Sequence, residues 1–201
     1  VVADQHFLVA DYAGIRSIAW MLYHEGIGCT TVVEVCRATS DLLLHCHQLP
    51  QPLFQIAFRP TDVFVDEKGR VTVADTALLK SPVLDVPDTT DPALRAVPAI
   101  ECMAPELLAG GGLTMQSDLY SLGLLVFRMM RGSLPATQAA ERLAAGAPVE
   151  EILPKRGPAN LVESLRRTLS LDPADRFPDA LEFRATVEQL DRERMRTRLS
   201  V

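Results

Sequence analysis

Few residues in this chain have the type and spacing that chemistry needs, and they fall in a handful of places. His45-Cys46-His47 places three metal-ligating side chains in a row. A zinc-type site needs its ligands to converge on one point, whereas adjacent side chains on a helix diverge by about 100°. Ordinary packing is therefore expected there, and no metal site. Cys29, Cys36, Cys46 and Cys102 form no C-x-x-C pair and no dense framework, which implies reduced thiols. Gly110-Gly111-Gly112 follows Ala104-Pro105-Glu106 and lacks the strand-turn-helix setting that aims backbone N–H groups at a phosphate. What is left is the stretch FRPTDVFVDEKGRVTVADTALL, Phe58 to Leu79, with a cation at Arg59 and carboxylates at Asp62 and Asp75. Whether these form a site depends on the elements that hold them.

The pattern on both sides of that stretch is mainly helical. SIAWMLYHEG opens on a good N-cap, Ser17, and stops at Gly26, which predicts a short helix. Before it, Phe7–Tyr12 reads as a strand or extended segment. From Thr31 to Leu49, apolar residues recur at helical steps (Val32, Val35, Cys36, Leu42, Leu43, Cys46) until Pro50-Gln51-Pro52 ends the run. DVFVD and RVTVAD flank Glu67-Lys68-Gly69, and alternating β-branched residues about a glycine turn predict a hairpin. Residues 81–105 hold Pro82, Pro87, Pro92, Pro98 and Pro105, with Asp85, Asp88 and Asp91 among them, and read as a long loop. Helices are expected over Ser117–Met130, Ala136–Ala145, Asn160–Leu169 and Pro178 to about Arg198.

The chain of 201 residues, 48% hydrophobic and 23% charged, has room for one core and a helical tail. A net charge of -6 argues against nucleic acid or an anionic membrane as partner. No leader pattern is visible. The longest apolar run, about Leu119–Met130, is interrupted by Ser121 and Arg128 and reads as a buried helix rather than a membrane span. A cytoplasmic protein is expected.

In their order, these parts resemble the C-terminal lobe of a eukaryotic-type protein kinase. FLVADY resembles the hinge strand, SIAWMLYHEG the short helix after it, and Thr31–Leu49 the long helix before the catalytic loop. MAPELLAGGGLTMQSDLYSLGLLVFRMMRGSLP, Met103 to Pro135, resembles the A-P-E segment and the buried helix that follows. LRRTLSLDPADRFPDALEF, Leu165 to Phe183, resembles the closing helices. The resemblance implies a mainly α fold, a kinase C-lobe built as a helical bundle with one small β-hairpin and no N-lobe in this chain. It spans residues 1–190, with a helical tail over 191–201.

Carried over residue by residue, the resemblance places Gln55, Ile56 and Ala57 at the H-R-D positions. Ala57 then replaces the carboxylate that accepts the substrate's proton, and Ile56 replaces the arginine that grips a phosphorylated loop. Arg59 stands for the loop lysine, Asp62 for the metal-binding asparagine, and Asp75 for the Asp of D-F-G, followed by Thr76 and Ala77 in place of Phe and Gly. Asp62 and Asp75 are chemically suited to Mg²⁺, while the plainer reading makes them solvated turn carboxylates. No Gly-rich loop, strand lysine or partnering glutamate precedes Phe7. On this reading no residue is catalytic, cofactor-binding or metal-binding. The structural residues implied are the ion pair Glu106 and Arg176, together with Asp118, which either holds the catalytic-loop backbone or caps its own helix. Trp20 and Tyr120 belong to the core.

The expectation from these residues is a non-catalytic interaction or scaffold module. It would be a pseudokinase, not an enzyme, similar to the kinase non-catalytic C-lobe (KIND) domain of cytoskeletal and scaffold proteins. Its partner would be a protein, through a peptide, a helix or a basic segment, meeting the Phe7–Tyr12 and Ser17–Tyr23 edge and the acidic 85–91 loop; no cofactor is called for. The alternative is a divergent protein kinase fragment whose ATP-binding N-lobe precedes Val1. A third reading is an architectural subunit that uses LDRERMRTRLSV as a contact.

Overall fold

A helix buried without a break from Ser117 to Phe127 has to be surrounded, and Met115–Arg131 is such a helix. The computed structural model describes residues 16–55, 57–74, 79–80, 102–131 and 159–199. In chain order its elements are α1 (Ile18–His24), α2 (Cys29–His47), β1 (Phe54–Gln55), β2 (Val63–Val65), β3 (Val71–Val73), β4 (Leu79–Lys80), α3 (Pro105–Leu108), α4 (Met115–Arg131), α5 (Ala159–Thr168), a 3-10 turn (Pro173–Asp175) and α6 (Ala180–Leu199). Leu119, Leu122, Leu124, Leu125, Val126 and Phe127 of α4 have no exposed surface. Its first turn is closed by Thr114 and Ser117. The Ser117 N–H donates to Thr114 Oγ1 at 3.1 Å and the Thr114 N–H to Ser117 Oγ at 3.0 Å, a reciprocal capping box with serine in the glutamate's place.

Helices α2 and α5 pack on α4, and α6 packs across α2 and α5. The α6 contact is made by Ala180, Phe183 and Val187, one stripe at helical spacing and fully covered. Phe183 meets Phe177 edge to face with ring centroids 5.6 Å apart. Gly123 decides how closely α5 can approach. A Cβ there would lie 2.7 Å from Thr168 Cγ2 and 3.1 Å from Leu169 Cδ2, so only a glycine admits the end of α5.

The strands are short and lie beside the helices. β2 and β3 form the hairpin, pairing Val63 with Val73 and Val65 with Val71. Asp66 closes its turn, accepting from the N–H groups of Lys68 (2.9 Å) and Arg70 (2.8 Å). A second antiparallel pair, β1 with β4, joins Phe54 to Lys80 and Gln55 to Leu79. Two residues per strand leave no alternation to read, so the sequence gives no sign of it. Helix α1 is capped by Ser17, whose hydroxyl accepts from the Trp20 N–H at 3.1 Å. Helix α2 begins at Cys29 behind Gly28, a little earlier than the periodicity suggests. The expected strand at Phe7–Tyr12, the acidic loop with Asp85, Asp88 and Asp91, and the expected helix at Ala136–Ala145 lie outside the described residues. Among the described residues no helix is long and apolar enough to cross a membrane.

Substituting Gly123→Ala forces Thr168 or the α5 backbone to move in a filled core, at a cost of about 1–3 kcal/mol. Urea unfolding should show a lower midpoint at unchanged slope; an unchanged midpoint would mean that α5 does not press on α4 at Gly123.

Candidate functional site

The segment from β1 to β2 is held by side chains reaching up from α4. The Gln55 N–H donates to Asp118 Oδ2 at 3.0 Å, and the Phe58 N–H donates to Ser121 Oγ at 2.6 Å. Asp118 and Ser121 are three apart on one face of a helix, so they secure two amides that are also three apart. His47, the last residue of α2, brings Nε2 to 2.8 Å from the same Asp118 Oδ2. Gln55 Nε2 donates to the Ala57 carbonyl at 3.0 Å. From the other side, the Ala19 N–H of α1 donates to the Pro60 carbonyl at 2.9 Å. Thr114 and Ser117 already cap α4, so Asp118 serves the loop. Burial pushes the Asp118 carboxyl up from 3.8 to about 7, against the opposing pull of His47 and the Gln55 N–H.

Farther along, Arg59 and Asp62 face each other across a turn. Arg59 Nε donates to Asp62 Oδ2, and Thr61 Oγ1 donates to Asp62 Oδ1 at 2.9 Å. The Asp62 N–H donates to the Arg59 carbonyl at 3.0 Å, and the Asp62 carbonyl accepts from the Ala74 N–H at 2.7 Å, tying the turn to the end of β3. Ala57 is fully buried and packs with Cys102 and Met103. Ile56, Asp75, Thr76 and Ala77 lie outside the described residues. His45 points to solvent while Cys46 and His47 are buried, and no group of three His, Cys, Asp or Glu able to hold a metal occurs among the described residues. Mg²⁺ asks less of a protein. It keeps waters and takes one or two carboxylates beside a substrate's phosphates, and Asp62 suits that part.

Glu106 and Arg176 meet as a two-pronged pair, Nη1 to Oε1 at 2.7 Å and Nη2 to Oε2 at 2.8 Å. The Arg176 side chain is wholly buried. Its other donors reach the carbonyls of Ser170 (2.8 Å), Gln116 (3.0 Å) and Leu171 (3.3 Å), and its guanidinium lies 4.7 Å from the centroid of the Tyr120 ring. The triple glycine ends α3. Gly110 has φ +86, and a Cβ on Gly111 would meet the Glu106 carbonyl oxygen at 2.7 Å. That carbonyl accepts the Gly111 N–H, so the glycines serve a helix C-terminus, the wrong polarity for an anion.

Residues 56–190 match the protein tyrosine and serine/threonine kinase family, and the chain belongs to it. The helical domain with its small antiparallel strand pairs is a kinase-like domain. The chain is 30% identical to serine/threonine-protein kinase pkn3 of Myxococcus xanthus over 97% of its own length and 37% of that protein. It is 27% identical to serine/threonine-protein kinase PknL of Mycobacterium tuberculosis, over 81% of the chain and 41% of that protein. Against human ribosomal protein S6 kinase alpha-2 it is 35% identical over 64% of the chain and 17% of that protein. It thus spans about two fifths or less of these relatives.

These findings overturn the functional expectation. The relatives are named as kinases, and nothing supports a pseudokinase or KIND domain, a cytoskeletal scaffold, or the statement that the chain is not an enzyme. The physical error lay in setting Ala57, Ile56 and the lack of a Gly-rich loop and strand lysine ahead of Phe7 above a loop that is otherwise held in place by buried hydrogen bonds. His47 and Ser121 were passed over as loop anchors. A serine three residues after Asp118 on one helix face was the available signal.

Replacing Glu106 by Ala strands Arg176 as a buried charge, which costs about 3–5 kcal/mol. The pair Glu106→Ala with Arg176→Met should recover part of the loss in thermal melting; a neutral single substitution would deny the pair its role. For Asp118, the folded state holds its proton up to about pH 7 and the unfolded state releases it near 3.8. Its contribution is therefore complete below about pH 4 and is lost as pH rises to about 7. The stability of the wild type minus that of Asp118→Asn should fall across that window, and a flat difference would contradict it.

Proposed function

We propose that this chain is the large lobe of a serine/threonine protein kinase that transfers the γ-phosphoryl group of ATP to a protein hydroxyl. Residues 1–190 form the lobe and 191–201 its tail. The small lobe comes from a part of the protein ahead of Val1, in keeping with relatives much longer than the chain. The observation that carries this reading is the loop Gln55–Asp62, fixed by Asp118 and Ser121 and bearing Arg59 and Asp62 together.

Arg59 faces the charge on the transferred group, and Asp62, with Asp75, takes the metal side. When bound, Mg²⁺ neutralises charge on the nucleotide's phosphate oxygens. The bond from γ-phosphorus to its bridging oxygen breaks as the hydroxyl oxygen bonds to phosphorus. Because that transition state is loose, positioning and charge carry most of the catalysis. The hydroxyl's proton leaves to water, which makes Ala57 a loss of rate and not of reaction. The comparisons support the reading through the names of the relatives.

The test uses the full-length protein with labelled ATP, Mg²⁺ and a panel of Ser- and Thr-containing peptides. Transfer should exceed that of a control carrying Asp62→Ala and Asp75→Ala. Restoring a base with Ala57→Asp should raise kcat about 10²–10⁴-fold, with folding checked by circular dichroism. Background transfer in both the wild type and a folded Ala57→Asp variant would end the proposal.

A further inference from the structure

The segment Arg59-Pro60-Thr61-Asp62 is a tight turn closed by the bond from the Asp62 N–H to the Arg59 carbonyl. Pro60 sits at its second position, where a fixed φ favours such a turn. A turn of this kind brings its first and fourth residues together, and here those are the cation and the carboxylate. The pair is well sheltered, with side-chain exposures of 19% for Arg59 and 8% for Asp62. Both carboxylate oxygens are occupied, Oδ2 by Arg59 and Oδ1 by the Thr61 hydroxyl. The turn is braced from outside through the Pro60 and Asp62 carbonyls, so the two side chains meet by backbone design.

We propose that Arg59 and Asp62 form a self-quenched pair, so that a divalent cation and a nucleotide's phosphates bind this turn well only together. The inference rests on the kinase reading and adds a rule to it. A cation arriving alone meets a carboxylate already neutralised by a guanidinium. Phosphates arriving alone meet a guanidinium already neutralised by a carboxylate. Arriving together, the cation takes Asp62 and the phosphates take Arg59, and the internal pair is exchanged for two external ones. Coupling between two ligands is reciprocal and typically amounts to about 5- to 150-fold in affinity. Asp62 and Arg59 are then positioning residues for each other's ligand.

The experiment measures binding to the full-length protein. Mn²⁺ without nucleotide is followed by electron paramagnetic resonance in the wild type and Arg59→Gln. A fluorescent ATP analogue is titrated with and without Mg²⁺ into the wild type and Asp62→Asn. Freed from Arg59, Asp62 should bind Mn²⁺ about fivefold or more tightly. With the Asp62 charge removed, the protein should bind the metal-free analogue about fivefold or more tightly, and the enhancement by Mg²⁺ should shrink. If the wild type binds the Mg²⁺-loaded analogue and either variant leaves its affinity unchanged, the self-quenched pair is refuted and the kinase reading stands. If the wild type binds no analogue even with Mg²⁺, both fall.

Discussion

One buried carboxylate organises the functional half of this molecule. Asp118 has no exposed surface, and a charge in that position is expensive unless neighbours compensate it. Partial compensation comes from the end of α2 through His47 and from β1 through the Gln55 amide, and burial still outweighs it, holding the carboxyl up at about 7. A hydrogen bond of this kind is worth about 0.5–1.5 kcal/mol net, and these act beside the buried Phe54, Ala57 and Phe58 of the same loop. Ser121 takes a second amide one helical turn farther on. Both anchors stand on α4, which is enclosed on every side, so the loop inherits the rigidity of the core.

The Glu106–Arg176 pair works at a different level. Ion pairs of this depth contribute little net stability beside well-packed apolar groups of the same size. What the pair supplies is registration: residues 70 apart in sequence are set against each other by two parallel hydrogen bonds and three carbonyl contacts. The shape of the loop is carried by residues other than Ala57, Arg59 and Asp62.

Much of the fold was legible because it rests on local rules. Ser17 ahead of an apolar-periodic run, valines alternating about Gly69, and the long apolar run of α4 each point to one element. The β1–β4 pair was not legible, since Phe54–Gln55 and Leu79–Lys80 are too short to alternate and meet only through tertiary structure. Asp118 had two readings in the sequence. Thr114 and Ser117, spaced as a capping box, already contained the answer, because a helix that is capped leaves its next carboxylate available. His47 was obscured by its neighbours in a row of three possible ligands, only two of which turn inward. The function was misread as well. The relatives are named as kinases, which the residue type at Ala57 did not anticipate.

Helix α2 is covered by α6, and two contacts show how far the chain travels to achieve it. Arg184 donates to Asp41, 143 residues earlier, and Arg37 lies 3.8 Å from Glu188. A ribosome adding about 5–20 residues per second takes roughly 7–30 s to cover that distance. Throughout that interval α2 waits for the cover that α6 gives it. Closing α2 against α6 is therefore a non-local step that waits on a segment made 143 residues later.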